Sequence, residues 1–267
     1  TNGGKKGECI VSTIYEYVER VATAQLEKTA IEKITNSNPG LTLEEAYEIQ
    51  RLSIEKSISA SNAFIGWKMG LTSRAKQLQV GVDSTIYGRL TNNMLMNHNE
   101  ITAADYIHPR IEPEVAFTFK KPIAGENLMP YEVWSAVEYV YLALEVIDSR
   151  YENFAFSLMD VIADNASSTK FLMGSQPYAP TTTDWAQIKV DVYHNSEHKY
   201  EGVGAAILDH PINSVIELLN MLSKEGRGIQ PGELVLAGAM TDAVAVKSGD
   251  TVTADYGVLG SLTINVK

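Results

Sequence analysis

The sequence has little of what several protein classes require. It has one cysteine among 267 residues, so neither an intrachain disulfide nor a cysteine-rich zinc site can form. No apolar run approaches the roughly 20 residues that a membrane-spanning helix needs. The N-terminal stretch lacks the hydrophobic segment of a signal peptide. These absences predict a cytoplasmic protein.

Motifs for nucleophilic catalysis and for phosphate binding are also missing. The sequence contains no G-x-S-x-G elbow, no P-loop and no G-x-G-x-x-G. The formal net charge is −11, which disfavours nucleic acid and anionic membrane surfaces as partners. An anionic substrate would therefore need a local positive site, which a bound metal, Lys68 and nearby arginines could provide.

The hydrophobic pattern changes once along the chain. Apolar residues recur at three- and four-residue spacing over residues 10–35, which predicts a helix. A capping-box pattern at Thr42 and Glu45 begins a second helix. Short strands and turns then dominate. We therefore predict an N-terminal helical subdomain over residues 1–60 and a β-rich catalytic domain over residues 61–267.

Residues 111–120, IEPEVAFTFK, have the alternation of a half-buried strand. Apolar side chains occupy one face, and the other face begins with Glu112 and Glu114, about 7 Å apart. Two carboxylates so placed repel each other unless a cation lies between them, and a hard divalent cation accepts oxygen ligands. The alternative is a solvated edge strand with two surface glutamates.

A third carboxylate lies in a more apolar stretch. Glu145 is surrounded by Leu, Val and Ile in residues 140–150, VYLALEVIDSR, which predicts a buried strand. A lone ionised glutamate there is costly unless it is paired or bound to metal. Three carboxylates from two strands would suit Mg²⁺ or Mn²⁺. The alternative is a buried salt bridge from Glu145 to Arg150 or Arg110.

Three further polar features could serve chemistry. Lys68 lies in an apolar strand that runs into a loop, so it could face a substrate carboxylate or a developing oxyanion; alternatively it is a surface lysine with a buried stem. Asp83 could transfer protons or cap a helix. Residues 164–168, DNASS, could cap a helix or hold a carboxylate through hydroxyl and N–H groups.

Taken in order, several segments resemble the fumarylacetoacetate hydrolase superfamily. Within it they are similar to the hydratases and decarboxylases of bacterial catechol meta-cleavage pathways, and the resemblance covers nearly the whole chain. The segments are GWKMGLTS (66–73), PRIEPEVAF (109–117), ALEVIDSRY (143–151), ADNASS (163–168) and ADYGVLGSL (254–262).

The resemblance implies an α+β fold: a mixed β-sheet roll of the fumarylacetoacetate hydrolase type, with outer helices and an N-terminal helical cap. It implies Mg²⁺ or Mn²⁺ as the cofactor. The implied metal ligands are Glu112, Glu114 and Glu145. The implied catalytic residues are Lys68 and Asp83. The implied substrate-binding residues are Thr72, Ser167 and Thr241.

Within this branch, DSRY (148–151) and AGAMTDAV (237–244) favour the decarboxylases. These convert 4-oxalocrotonate, a small dicarboxylic 2-oxo acid, to 2-oxopent-4-enoate and CO₂. The alternatives are a 2-oxopent-4-enoate hydratase, a more distant acylpyruvate hydrolase, and a non-catalytic subunit that assists a hydratase. The resemblance also implies a homo-oligomer and association with the pathway hydratase.

Overall fold

A computed structural model describes residues 3–267, without the side chains of residues 3–12, 76, 79 and 80. The helices are α1 (Gly3–Glu27), α2 (Ile34–Ser37), α3 (Leu43–Ser57), α4 (Arg74–Val80), α5 (Pro130–Ala136), α6 (Leu158–Ala163) and α7 (Pro211–Ser223). The strands are β1 (Phe64–Gly70), β2 (Ile86–Thr91), β3 (Glu100–Ile101), β4 (Arg110–Phe119), β5 (Val137–Ile147), β6 (Ser168–Met173), β7 (Lys189–His194), β8 (Glu197–Val203), β9 (Leu234–Leu236), β10 (Val244–Ala245), β11 (Thr251–Asp255) and β12 (Ser261–Val266).

The strands form two mixed sheets. The larger has the order β2-β1-β9-β4-β5-β6, with β10 added beside β4. The smaller has the order β3-β12-β11-β7-β8. In the larger sheet β1 and β9 are parallel, whereas β4 and β5 form a long antiparallel pair. The predicted α+β fold, with mixed sheets and packed helices, is confirmed.

The main core contains the apolar face of β4, the smaller sheet, α5 and α7. Ile111, Val115, Phe117 and Phe119 of β4 are almost completely buried there, as the alternation in residues 111–120 predicts. Strand β5 is buried along most of its length. The second faces of β4 and β5 are also buried around Glu112, Glu114 and Glu145, and that enclosed face carries the polar residues of interest.

A second core lies under the N-terminal helices, where α1 and α3 pack with α6. The capping box is present: Glu45 N donates to Thr42 Oγ1 at 3.2 Å, and Thr42 N donates to Glu45 Oε2 at 2.9 Å. The predicted division at residue 60 stays a prediction. Gln50 ties α3 to the rest of the chain, because its amide donates to Tyr87 O and Ile162 O, each at 2.9 Å.

The predicted first helix over residues 10–35 is wrong at its C-terminal end. Helix α1 stops at Glu27, and Lys28 has a φ of 54°. Ile31 then forms a bridge with Tyr151, with Ile31 N donating to Arg150 O at 2.9 Å. Long-range backbone pairing therefore overrides the local periodicity. Among the described helices, none is both apolar enough and long enough to cross a membrane.

Candidate metal centre

Three glutamates meet on the enclosed face of β4 and β5. Glu112 lies directly opposite Glu145 in the antiparallel ladder, and Glu114 follows on the same face of β4 because side chains alternate along a strand. One carboxylate oxygen from each lies within 4.8 Å of the other two. Glu112, Glu114 and Glu145 are called the carboxylate cluster below. Glu114 and Glu145 are fully buried, and Glu112 is 7% exposed.

The Glu114 carboxylate is only partly satisfied by the protein. Gly238 N donates to Glu114 Oε2 at 2.8 Å. Glu114 Oε1 is buried and accepts no hydrogen bond from any residue that the structure describes. Gly238 has a φ of 110°, and a Cβ there would lie 2.2 Å from Thr72 Oγ1. Only glycine therefore allows the backbone to approach both Thr72 and Glu114.

Lys68 of β1 provides the positive charge beside the cluster. Its ammonium lies 2.8 Å from Glu145 Oε2 and donates to Ala166 O at 3.1 Å. Ser168 Oγ donates to the other oxygen, Glu145 Oε1, at 2.8 Å. Lys68 is 3% exposed, so it is not the surface lysine that the sequence left open.

The alternative ion pairs for Glu145 are wrong. Arg150 pairs instead with Asp164. The Arg110 guanidinium lies over the ring of Phe154, with its Cζ 3.8 Å from the ring centroid. Arg110 is the first residue of β4, and Arg150 follows β5. Although both are close in sequence to the cluster, neither contacts Glu145.

Burial and repulsion govern the ionisation of the cluster. Burial, with the charge of Glu145, raises the pKa of Glu114 well above its ordinary value. Burial also raises the pKa of Glu145, although Lys68 opposes that effect. For Lys68, burial lowers the pKa, but the charges of Glu145, Glu114 and Glu112 outweigh it and raise the pKa above its ordinary value.

The cluster fits a hard divalent cation. Its three carboxylates are buried together, with the Lys68 ammonium 2.8 Å from Glu145 Oε2. Carboxylates gathered in a buried site repel one another, and a cation bound between them relieves that repulsion. The oxygen donors are those that Mg²⁺ and Mn²⁺ accept, and Glu114 Oε1 is a buried oxygen without a protein donor among the described residues.

A strained turn closes the site on the Lys68 side. Asn165, Ala166 and Ser167 have φ values of 52°, 52° and 58°. Left-handed conformations at non-glycine residues cost about 1–3 kcal/mol each and persist where the surrounding structure holds them. The turn presents Ala166 O to Lys68, and it places Ser167 Oγ in a buried position with no hydrogen-bond partner among the residues described.

The other candidate residues differ in their burial and in their contacts around the site. Thr72 is 1% exposed and lies beside Gly238. Thr241 is half-buried, and its hydroxyl donates to Asp242 O at 2.9 Å. Asp83 is exposed on the rim of a separate cavity of about 1090 Å³ between α3 and α7. Within the described part of the chain, no hydrogen bond links Thr241 or Asp83 to the cluster.

Sequence reasoning missed three groups at the site: Ser168 Oγ and Gly238 N–H, which contact the carboxylate cluster, and the Ala166 carbonyl, which contacts Lys68. The segment ADNASS signalled small polar residues but did not distinguish Ser167 from Ser168. The distinction depends on the pairing of β6 with β5, in which Ser168 is opposite Ile147. Backbone groups carry no signal of their own in the sequence.

Comparisons with known proteins agree with this geometry. Residues 68–267 match the family model described as fumarylacetoacetate (FAA) hydrolase C-terminal. The chain is 40% identical over 246 residues to a 4-oxalocrotonate decarboxylase from Pseudomonas putida, which covers 92% of this chain and 93% of that protein. It is 33% identical over 252 residues to a 2-oxo-hept-4-ene-1,7-dioate hydratase from Escherichia coli, covering 92% and 94%.

A solved structure supports the same relationship. The 4-oxalocrotonate decarboxylase of Pseudomonas putida G7, complexed with magnesium and adipate, superposes with a TM-score of 0.91 at 37% identity, covering 96% of this chain and 98% of that one. The resemblance inferred from the sequence segments is confirmed. The chain therefore belongs to the fumarylacetoacetate hydrolase family.

Proposed function

We propose that this protein is a metal-dependent 4-oxalocrotonate decarboxylase. It would convert 2-oxo-3-hexenedioate to 2-oxopent-4-enoate and CO₂. The observation that carries the proposal is the buried carboxylate cluster with Lys68 at 2.8 Å from Glu145. That site lies in a chain 40% identical, over 92% of its length, to a decarboxylase of this substrate.

The reaction breaks the C5–C6 bond of the substrate. The electron pair of that bond moves through C4 and C3 towards the C2 carbonyl oxygen, and C6 leaves as CO₂. The resulting dienolate takes a proton at C3 to give 2-oxopent-4-enoate. Negative charge therefore develops on the C2 oxygen, and the site must stabilise charge at that atom.

Glu112, Glu114 and Glu145 would hold the cation. Mg²⁺ is favoured over Mn²⁺ in this proposal because the decarboxylase structure from Pseudomonas putida G7 contains magnesium, although a second structure of that enzyme contains calcium. When bound, a divalent cation supplies Lewis-acid stabilisation to an oxygen on which charge develops.

Lys68 would hold a proton and a positive charge beside the developing oxyanion. Its burial makes that charge effective, because electrostatic stabilisation is stronger where water is excluded. The buried hydroxyls of Ser167 and Thr72 would bind the substrate carboxylate or carbonyl. Thr241 would contribute a further contact. Asp83 would transfer protons, for which it must approach the cluster from the rim of its cavity.

A hydratase is the second candidate function. The observation in its favour is the 33% identity to the Escherichia coli hydratase over 92% of this chain. The same cluster and lysine would polarise a 2-hydroxydienoate, and a base would deliver water to its alkene. A non-catalytic subunit is less well supported, because it would have no use for three buried carboxylates whose oxygens lie within 4.8 Å of one another.

The direct test is CO₂ release from enzymatically generated 2-oxo-3-hexenedioate, with Mg²⁺ and then with EDTA. We expect release with Mg²⁺ and none after chelation. Absence of CO₂, with loss of dienol absorbance on supply of 2-hydroxypenta-2,4-dienoate, would identify a hydratase. Inactivity on both substrates would support the non-catalytic alternative.

Assembly is a separate part of the proposal. We infer a homo-oligomer that can associate with the pathway hydratase. Several large apolar side chains are exposed, including Leu26 at 80% and Tyr15 at 53%, both on α1, and such residues are typical of contact surfaces when they lie together. Light scattering of the purified chain, alone and mixed with the hydratase, would measure both kinds of association.

A further inference from the structure

The turn formed by residues 164–168 is held against β2 by one side chain. Asn165 Nδ2 donates to Arg89 O at 2.9 Å, and Arg89 N donates to Asn165 Oδ1 at 2.7 Å. The Asn165 amide therefore bonds the backbone of β2 much as a neighbouring strand would. Asn165 is 5% exposed, so the turn cannot leave β2 without breaking two buried hydrogen bonds.

Three consecutive groups at the site depend on the position of this turn. Ala166 O accepts a hydrogen bond from Lys68 Nζ at 3.1 Å. The Ser167 hydroxyl is buried beside it. Ser168 Oγ donates to Glu145 Oε1 at 2.8 Å. A shift of the turn would therefore displace a contact of the lysine and a contact of a cluster carboxylate together.

Gly88 of β2 allows the turn to lie this close. Gly88 is opposite Lys68 in the β1–β2 ladder. A Cβ on Gly88 would lie 2.7 Å from Asn165 O and 3.1 Å from Lys68 Cδ. The stem of Lys68 thus passes next to both β2 and the turn. The spacing between β2 and the turn, which Asn165 sets, determines the space in which the lysine lies.

We propose that Asn165 is a positioning residue of the metal centre. Its two hydrogen bonds to the Arg89 backbone hold the turn so that Ala166 O locates the Lys68 ammonium and Ser168 orients Glu145. The inference rests on the proposed metal centre. Asparagine suits the position because it tolerates the φ of 52° and offers both a donor and an acceptor, whereas ionised aspartate offers no donor.

The test compares two glycine variants. Asn165→Gly removes both hydrogen bonds and still permits the left-handed backbone. Asn62→Gly is the matched control. Asn62 is also buried, with Nδ2 donating to Ser57 O at 2.9 Å and Oδ1 accepting from Asn93 N at 3.2 Å. None of those partners contacts the cluster. Calorimetry would measure the Mg²⁺ affinity of each metal-free protein.

We expect Asn165→Gly to bind Mg²⁺ about 10–100-fold more weakly, the range seen when a partner of a metal ligand is lost. Its kcat should fall while KM for 2-oxo-3-hexenedioate changes little, because Lys68 acts on charge that develops during the reaction. Asn62→Gly should lose thermal stability but keep the wild-type Mg²⁺ affinity and kcat.

Equal Mg²⁺ affinities for Asn165→Gly, Asn62→Gly and wild type would overturn the inference and leave Asn165 a structural residue. If wild type itself binds no Mg²⁺, the proposed metal centre fails, which is a different outcome. If Asn165→Gly does not fold, the Mg²⁺ affinity of Asn165→Asp is compared with that of wild type instead. The ionised carboxylate of that variant retains the acceptor for Arg89 N but turns its second oxygen towards Arg89 O, so we expect weakened Mg²⁺ binding there too.

Discussion

Two buried ionic groups adjoin the turn of residues 164–168, and their hydrogen bonds are completed to different extents. On one side, the carboxylate cluster has Lys68 beside Glu145, and Glu114 Oε1 accepts no hydrogen bond from the described residues. Burial and mutual repulsion raise the pKa of Glu114 well above its ordinary value. Considered alone, this group opposes folding.

On the other side, Arg150 and Asp164 form a pair with matched charge. Arg150 Nε donates to Asp164 Oδ1, Nη2 donates to Asp164 O, and the backbone N donates to Asp164 Oδ2 at 3.0 Å. Nη1 is shared among Asp148 O, Ser168 O and Thr169 Oγ1. Each nitrogen of the guanidinium therefore has an acceptor.

The contrast separates a structural ion pair from a functional one. A buried ion pair whose hydrogen bonds are complete has no unused donor or acceptor for a ligand. Its role is therefore to hold the turn and the chain after β5 together. A buried carboxylate cluster in which Glu114 Oε1 accepts no hydrogen bond from the described residues is typical of a functional site. Substitutions in one group should therefore leave the other group largely unaffected.

Glu114→Gln should eliminate most of the activity without harming the fold. Gln retains an acceptor for Gly238 N but removes a charged ligand, so we expect Mg²⁺-dependent CO₂ release to fall by more than about 10³-fold. The free energy of unfolding in EDTA should not decrease, because the variant removes one of three buried like charges. Full activity would contradict the metal assignment.

Asp164→Asn should lower the stability of the fold but leave most of the Mg²⁺ binding intact. The Arg150 guanidinium would stay buried without its counter-ion, which typically costs about 3–5 kcal/mol of unfolding free energy. Urea denaturation measures this loss. In the folded protein, Asn165 still bonds the Arg89 backbone and holds the turn, so Mg²⁺ affinity should change far less than in Glu114→Gln. An equally large loss of Mg²⁺ binding would mean that the two groups act as one unit.

The sequence was sufficient to predict the cluster because β-strand geometry is simple. Alternation at period 2 places Glu112 and Glu114 on one face of β4, and the apolar neighbours of Glu145 indicate burial. Neither inference needs the fold. The apolar strand around Lys68 already made that lysine a candidate, and the resemblance of the segments then supplied the sheet roll, which no local pattern of a single strand could have provided.

The partners of these residues could not be predicted in the same way. Whether Glu145 pairs with Lys68 or Arg150 depends on the strand order that brings β1 near β4 and β5 through β9. Arg150 is close in sequence but follows β5, where the chain turns towards Asp164. The end of α1 also depends on a distant partner, Tyr151. Long-range contacts leave no periodicity in the sequence.

Mg²⁺ should stabilise the folded protein by binding to the carboxylate cluster and not to the Arg150–Asp164 pair. A ligand that binds the folded state at 100 times its Kd adds about 2.7 kcal/mol to the unfolding free energy. We expect this increase in wild type and in Asp164→Asn, and none in Glu114→Gln. Denaturation with Mg²⁺ and with EDTA measures it. Stabilisation of Glu114→Gln by Mg²⁺ would point to a second cation site.

The smallest effect should distinguish the two neighbouring serines. Ser168→Ala removes the hydroxyl that bonds Glu145 Oε1, so Mg²⁺ affinity should fall by about tenfold. Ser167→Ala removes a buried hydroxyl that no described residue bonds, so Mg²⁺ affinity should be unchanged while KM for 2-oxo-3-hexenedioate rises. Calorimetry and steady-state kinetics on both variants provide the comparison. The reverse result would mean that Ser167 supports metal binding and Ser168 binds the substrate. If neither variant changes, the Mg²⁺ affinity of the cluster depends on its carboxylates and Lys68 rather than on the turn.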